Sequence, residues 1–224
     1  MGKTSMVRRL GVIGDVHCES ATLGRVLAAL ESMDLDAILC VGDLIDGPGD
    51  ADVTLHMLET HGVQCVAGNH ERWFLTDEQR NLDNATHDVD QTSRAFLESL
   101  PKIRRYRTPN GTMLLSHGIG EDDEAWLRPD TRGYALQDIS TLRELMADES
   151  VQFLIGGHTH ERMVRAFSGL TVINAGTLHR KDEQTFTVVD FETMRVRFYS
   201  AAERTMGELL EEIELPMPGV GAGD

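Results

Sequence analysis

Three short apolar runs, residues 7–13, 37–41 and 64–67, each lead into a glycine followed by a ligand-type side chain: Gly14-Asp15, Gly42-Asp43 and Gly68-Asn69-His70. Apolar runs of this length, closed by glycine, read as buried strands that pass into loops. Between the first two, Leu23, Val26, Leu27 and Leu30 follow the i, i+3, i+4, i+7 spacing of an amphipathic helix, with Ser20 or Thr22 as its cap. Residues 52–60 predict a second helix. The order βαβαβ requires right-handed crossovers and a parallel sheet. In such a sheet the side chains just past the carboxyl ends of the strands converge on one crevice.

The later sequence has a different character. Residues 71–100 are polar and helix-rich, with Phe96, Leu97 and Leu100 as their apolar face. Pro109-Asn110-Gly111, between two strand-like runs, signals a hairpin. Residues 120–135 carry Glu121-Asp122-Asp123-Glu124 and predict a long exposed loop, and 141–146 a helix. Strands then dominate: 151–155, 162–167, 170–174, 184–190 and 194–199. Residues 202–214 read as a surface helix followed by a Pro/Gly tail, and 1–6 and 215–224 as flexible ends. A parallel half followed by a largely antiparallel half predicts an α/β chain, two sheets packed face to face with helices outside. With no linker or repeat, residues 1–224 are expected to form a single domain.

At 224 residues and 41% hydrophobic, the chain can bury one sizeable core. No run approaches the roughly 18 apolar residues of a membrane span. The first residues lack the apolar segment of a secretory signal. Cys18, Cys40 and Cys65 form an odd, scattered set, which suits reduced, buried thiols in a cytoplasmic protein. Cys18 follows His17 and is read as a small turn residue rather than a thiolate ligand. A net charge of −16 disfavours an extended nucleic acid as partner, and nothing points to a membrane surface. Part of that charge need not repel anions, because carboxylates bound to cations are neutralised locally.

Two further junctions join the first three: Ser116-His117-Gly118 and Gly156-Gly157-His158-Thr159-His160. Asp15-x-His17 and His158-x-His160 have a spacing of two, which in extended chain puts both side chains on one side. Singly, each motif has a plainer reading. Gly-Asp favours turns anywhere, and Asn69 could cap a helix. Turn preference alone would also bring in Ser, Pro and Lys, so five junctions all carrying Asp, Asn or His point to shared chemistry. His56, His61 and His87 fall in predicted helices and read as solvated surface.

Taken in order, Gly14-Asp15-x-His17, Gly42-Asp43, Gly68-Asn69-His70-Glu71, His117 and Gly157-His158-x-His160 resemble the calcineurin-like metallophosphoesterases, over residues 8 to about 200. The resemblance implies a four-layer αββα sandwich of two mixed sheets. It also implies two divalent metal ions, one held by Asp15, His17, Asp43 and His160, the other by Asp43, Asn69, His117 and His158. A shared carboxylate relieves the repulsion between cations about 3.5–4 Å apart. Oxygen and nitrogen donors suit Mn²⁺, the first choice, with Fe, Zn²⁺ or Ni²⁺ as alternatives. The implied reaction is hydrolysis of a small phosphorylated substrate, a phosphodiester or phosphomonoester, by a hydroxide bridging the metals, with His70 serving the leaving oxygen. The phosphoprotein phosphatases carry Gly-Asp-x-x-Asp-Arg-Gly at the second motif. Here Asp46 survives and the arginine is replaced by Gly47, which points towards the small bacterial phosphodiesterase-like branch. Arg72, Arg180 and His179 are candidate substrate contacts. A phosphoprotein phosphatase, a dinucleoside polyphosphate hydrolase and a non-catalytic binding scaffold on the same fold remain alternatives.

Overall fold

The computed structural model describes residues 6–216. Strand β1 (Arg9–Ile13) pairs in parallel with β2 (Ala37–Cys40), and β2 with the two-residue β3 (Gln64–Cys65). Helices α1 (Ser20–Glu31) and α2 (Ala51–Thr60) make the crossovers. Leu23, Val26, Leu27 and Leu30 are the buried face of α1, as their spacing predicts. Neither Ser20 nor Thr22 caps this helix: the cap position falls on Glu19, without a side-chain bond to the helix end. The Glu19 carboxylate instead accepts from the backbone and guanidinium of Arg180. In α2, Asp50 caps by accepting from Val53 N at 3.0 Å.

After α3 (Asn69–Thr76) and α4 (Gln91–Ser99), β4 (Ile103–Thr108) and β5 (Gly111–Ser116) form the expected hairpin, its turn being Pro109-Asn110. The predicted 120–135 loop ends early, because short helix α5 (Gly133–Asp138) begins inside it; α6 (Ser140–Ala147) follows. Then come β6 (Phe153–Gly156), β7 (Met163–Ala166), β8 (Thr171–Asn174), β9 (Thr185–Asp190) and β10 (Arg195–Ser200).

Two sequence expectations fail here. The chain does not divide into a parallel sheet and a later antiparallel one: β9 returns to pair antiparallel with β1. The first sheet therefore runs β11-β10-β9-β1-β2-β3 and the second β4-β5-β6-β8-β7, with β5, β6 and β8 parallel. Nor is 202–214 a helix. Residues Glu203–Thr205 make one 3-10 turn, Gly207 turns at φ +79°, and Leu209–Glu214 forms edge strand β11. Cross-strand charge explains this override of helix propensity, because Glu212 receives both Arg195 and Arg197 from β10. Of the expected tails, residues 1–5 and 217–224 lie outside the described residues. Leu215, placed by the sequence in a flexible end, is instead buried and donates its N–H to the Met194 carbonyl at 2.8 Å.

The layers follow from strand alternation. Leu10, Val12, Leu39 and Val41 face Met113, Leu115, Phe153 and Ile155 across the inter-sheet core. Ile13, Cys40, Phe186 and Val188 face the other way, onto α1 and α2. Leu114, Leu154 and Val172 cover the far side of the second sheet with Leu142 of α6. The result is an α/β sandwich of two mixed sheets between helices. Each such fully buried Leu, Ile or Phe contributes about 1.5–3 kcal/mol. No helix among the described residues is long and apolar enough to cross a membrane.

Candidate metal centre

The carboxyl ends of β1, β2, β3, β5 and β6 all open at one edge of the sandwich, and the five motifs meet there. His17 Nε2 stands 3.1 Å from His160 Nε2 and 3.8 Å from Asp43 Oδ2, and His160 Nε2 lies 3.3 Å from Asp15 Oδ2. On the other side, His117 Nε2 stands 2.9 Å from Asn69 Oδ1, 3.2 Å from His158 Nδ1 and 3.2 Å from Asp43 Oδ2. All seven residues read as ligands are thus brought together in two sets, with Asp43 Oδ2 in both.

The donor chemistry fits a cation at the centre of each set. His17 Nδ1 faces the Asp46 carbonyl and His117 Nδ1 faces the Val41 carbonyl, each at 3.0 Å. A carbonyl only accepts, so these nitrogens carry the protons and both Nε2 lone pairs point inward. His160 behaves alike, giving Nδ1–H to Asp182 Oδ2 at 2.7 Å. Acceptor therefore confronts acceptor between His17 and His160, between His160 and Asp15, and between His117 and both Asn69 and Asp43, and Asp15 Oδ2, wholly buried, has no hydrogen-bond partner at all. Positive charge between them satisfies every one of these atoms. Proton affinities reflect the same demand. Burial alone would lower His117, yet Asp43 and Asp15 lift it to about 10, whereas burial takes His17 down to about 4. Burial also raises Asp15 to about 6, while the surrounding histidines hold Asp43 well below the ordinary carboxylate range despite its burial.

The loops that present these ligands are strained. His17, Cys18, Asp43, Asp46, His158 and His160 all have φ between 46° and 69°, left-handed values that cost a non-glycine residue about 1–3 kcal/mol. Buried hydrogen bonds hold them there. Val16 N and His17 N both donate to the Asp43 carbonyl at 2.9 Å. Glu71, fully buried, accepts from four backbone N–H groups: Asp43 and Gly68 on Oε2 at 2.9 and 2.8 Å, Leu44 and Ile45 on Oε1 at 2.7 and 3.3 Å. Burial and the neighbouring Asp43 push Glu71 up to about 7, but each oxygen receives two donors, an arrangement that suits the ionised form. Thr177 Oγ1 and Leu178 N both donate to the Asp15 carbonyl, and Asn174 braces Gly157 and Thr159. Close approach makes glycine obligatory at 157, where a Cβ would lie 2.3 Å from Asp15 Oδ1.

His70 sits at the rim, its Nε2 3.8 Å from Asp43 Oδ2 and its ring 4.9 Å from that of His17. Its Nδ1 donates to Asp46 Oδ2 at 2.8 Å. Burial opposes a charged imidazole here, but Asp43 and Asp46 outweigh it and raise the His70 pKa. Asp46 is clamped in turn by both terminal nitrogens of Arg80, at 2.8 and 3.0 Å, and by Thr86 N at 2.7 Å. Despite burial, His70 and Arg80 bring its pKa down to about 2.

The other sequence candidates fare unevenly. His179 lies at the rim, 5.3 Å from the His17 ring, sharing Asp182 with His160. The charges of Arg72 and Arg180 are already met: Arg72 by Asp123, Glu124 and Glu78, Arg180 by Glu19. Burial pushes the Cys18 thiol up to about 12, which keeps it a neutral turn residue. His61 and His87 lie in turn and loop rather than helix. Sequence reading missed the work of Glu71, Arg80 and Asp182. Only Glu71 had a legible signal, its capping-box distance of three from Gly68.

Comparison with known proteins now places the chain. The description "Calcineurin-like phosphoesterase superfamily domain" matches residues 9–194, and the chain belongs to this superfamily. A curated relative, serine/threonine-protein phosphatase 2 of Salmonella typhimurium, is 36% identical over 73 residues, covering 32% of this chain and 34% of that protein. The match thus spans about a third of the relative's length. Among solved structures, a metallophosphoesterase from Sphaerobacter thermophilus aligns with TM-score 0.63 and 19% identity over 87% of this chain and 88% of its own. Yfce, a phosphoesterase from E. coli, aligns with TM-score 0.59 and 15% identity over 93% and 100%. At such identities these two matches speak for the fold.

Proposed function

We propose that this protein is a dinuclear metal-dependent phosphoesterase whose preferred substrates are small phosphodiesters. The observation that carries the reading is the pair of inward-facing ligand sets sharing Asp43 Oδ2. Asp15, His17, Asp43 and His160 would hold one divalent cation and Asp43, Asn69, His117 and His158 the other. When bound, the pair supplies electrophilic charge for a phosphoryl group and lowers the pKa of water towards neutrality. Mn²⁺ suits the mixed carboxylate, amide and imidazole donors. The chain's own residues do the rest. With Nδ1 fixed on Asp46, His70 has only Nε2 to offer, and this atom faces the cluster, positioned to serve the leaving oxygen. Arg80 and Thr86 hold Asp46 from behind, so the imidazole cannot swing away.

A preference for a diester is supported by three particular arginines, Arg80 beside Asp46 and the sequence candidates Arg72 and Arg180, each already paired. Arg80 approaches Asp46 from chain far from the second motif, and it gives Asp46 and the Thr86 carbonyl both of its terminal nitrogens. Arg72 and Arg180 are likewise paired. A dianionic monoester profits more from a free guanidinium than a monoanionic diester does. The same point weighs against a phosphoprotein substrate.

The test is hydrolysis of bis-p-nitrophenyl phosphate and of p-nitrophenyl phosphate after chelation and reloading with Mn²⁺, Fe²⁺, Ni²⁺ or Zn²⁺. Turnover that requires metal, with the larger kcat/KM on the diester, is expected. No turnover of either ester with any of the four would sink the enzyme reading. His70→Gln is expected to keep its metal and lose roughly 10²–10⁴ in kcat. A wild-type kcat in that variant would remove the role given to His70.

A further inference from the structure

We propose a second anion subsite beside the cluster, formed by Arg128, Arg132 and Arg165 with Trp126 as a stacking platform, which takes a second phosphate and an attached planar ring of the substrate, as a nucleotide would present them. The proposal rests on the phosphoesterase reading for the reacting phosphate and adds what that phosphate is attached to.

Two clefts meet at Arg128. One, of about 770 Å³, is lined by His158 and His160 at the cluster and by Arg128 beyond it; its carboxylates Glu161, Asp182 and Glu183 are engaged by Arg128, His160 and Arg162 respectively. The other, of about 440 Å³, shares Arg128 and adds Trp126, Asp130, Thr131 and Arg132, while Arg165 reaches the 128–132 turn from β7 without lining either cleft. Arg128 thus lines both the cleft at the candidate metal ligands and the cleft at Trp126.

The charge around the 128–132 turn is unusual for this chain, which carries 37 acidic residues against 21 basic ones. Arg132 Nη1 donates to the carbonyls of Pro129 and Thr131 at 2.7 and 2.9 Å. Arg165 Nη1 donates to the carbonyls of Arg128 and Thr131 at 3.1 and 2.9 Å. Two guanidiniums therefore converge on the Thr131 carbonyl, held by neutral acceptors, and neither has an ion pair among the described residues. Burial and then the neighbouring Arg132 lower the proton affinity of Arg165, with Asp130 offsetting part of that repulsion. An anion lodged between the two relieves it, and the planar fork of arginine matches phosphate oxygens two at a time. Arg128 has one carboxylate partner, Glu161 at 3.3 Å, in an exposed pair that a phosphate can displace.

Trp126 supplies the second recognition element. It is 50% exposed, and the Arg128 guanidinium stands 5.6 Å from its ring centroid. An indole exposed to this degree beside cationic side chains offers a face on which a base stacks whatever its sequence identity.

Calorimetric titration of the full chain with ADP, and with inorganic phosphate as the probe lacking both ring and second phosphate, tests the subsite. ADP is expected to bind at least about tenfold more tightly than phosphate. The double variant Arg132→Gln/Arg165→Gln should lose at least about tenfold in ADP affinity, with phosphate affinity and bis-p-nitrophenyl phosphate turnover within about twofold of wild type. Trp126→Ala, a change at an exposed position, should weaken ADP and leave pyrophosphate unaffected. Equal ADP affinity in wild type and the double variant, or ADP no tighter than phosphate, overturns the proposal. The two readings fail separately: absent turnover of the chromogenic esters by wild type counts against the phosphoesterase reading, whereas the titrations judge the subsite.

Discussion

Asp43→Asn is expected to lower kcat/KM by at least about a thousandfold and to deplete both cations together. Asp43 Oδ2 lies 3.8 Å from His17 Nε2 and 3.2 Å from His117 Nε2, so one oxygen belongs to both ligand sets. Asparagine keeps the shape and one oxygen but removes the charge that would offset repulsion between the two proposed dications. Stabilisation by such charge amounts to several kcal/mol, and each 1.36 kcal/mol is tenfold in rate. The second oxygen, Oδ1, also accepts from His70 N at 3.2 Å, so the start of α3 is tied to the same carboxylate. Metal analysis of the purified variant beside its kinetics makes the check. Two equivalents of metal retained, or a rate within tenfold of wild type, would show that Asp43 does not bridge.

Glu71→Gln should act on the fold that carries the site. The two oxygens of Glu71 receive four backbone N–H groups in a fully buried position. Glutamine can accept through one oxygen only, and its amide would turn N–H against N–H at the other. Two buried donors are left without partners, at about 1–3 kcal/mol each, so unfolding free energy should fall by about 2–6 kcal/mol. The left-handed backbone at Asp43 loses its restraint at the same time, and metal content should drop with stability. Chemical denaturation of the metal-stripped proteins isolates the structural part. A difference under 0.5 kcal/mol, on the order of an ordinary surface change, would refute this account.

Strands that end in Gly-Asp or Gly-Asn-His are local signals, because buried apolar runs and turn residues are read one element at a time. Those signals pick out the seven proposed ligands and His70, which the fold brings to one edge. What they could not locate depends on contacts distant in sequence. Arg80 lies 34 residues from the carboxylate it clamps, in a stretch whose composition says only that it is polar. Asp182 orients His160 from 22 residues away. The same limit explains β11: Leu209–Glu214 has helix-favouring residues, and only the arginines of β10 opposite make it a strand. The return of β9 beside β1 is likewise invisible until the whole sheet is assembled.

The candidate ligands divide between the two sheets: Asp15, His17, Asp43 and Asn69 follow strands of the first, His117, His158 and His160 strands of the second. The distance across the cluster is therefore the same coordinate as the offset of one sheet upon the other, which the inter-sheet core sets. Phe153 and Phe191, with ring centroids 5.0 Å apart in that core, act as gauge blocks for the site. A close-packed interior accommodates a change in side-chain volume by shifting its walls. A change of side-chain volume in this core is thus expected to alter the spacing of the candidate ligands, although the changed residue lies remote from them.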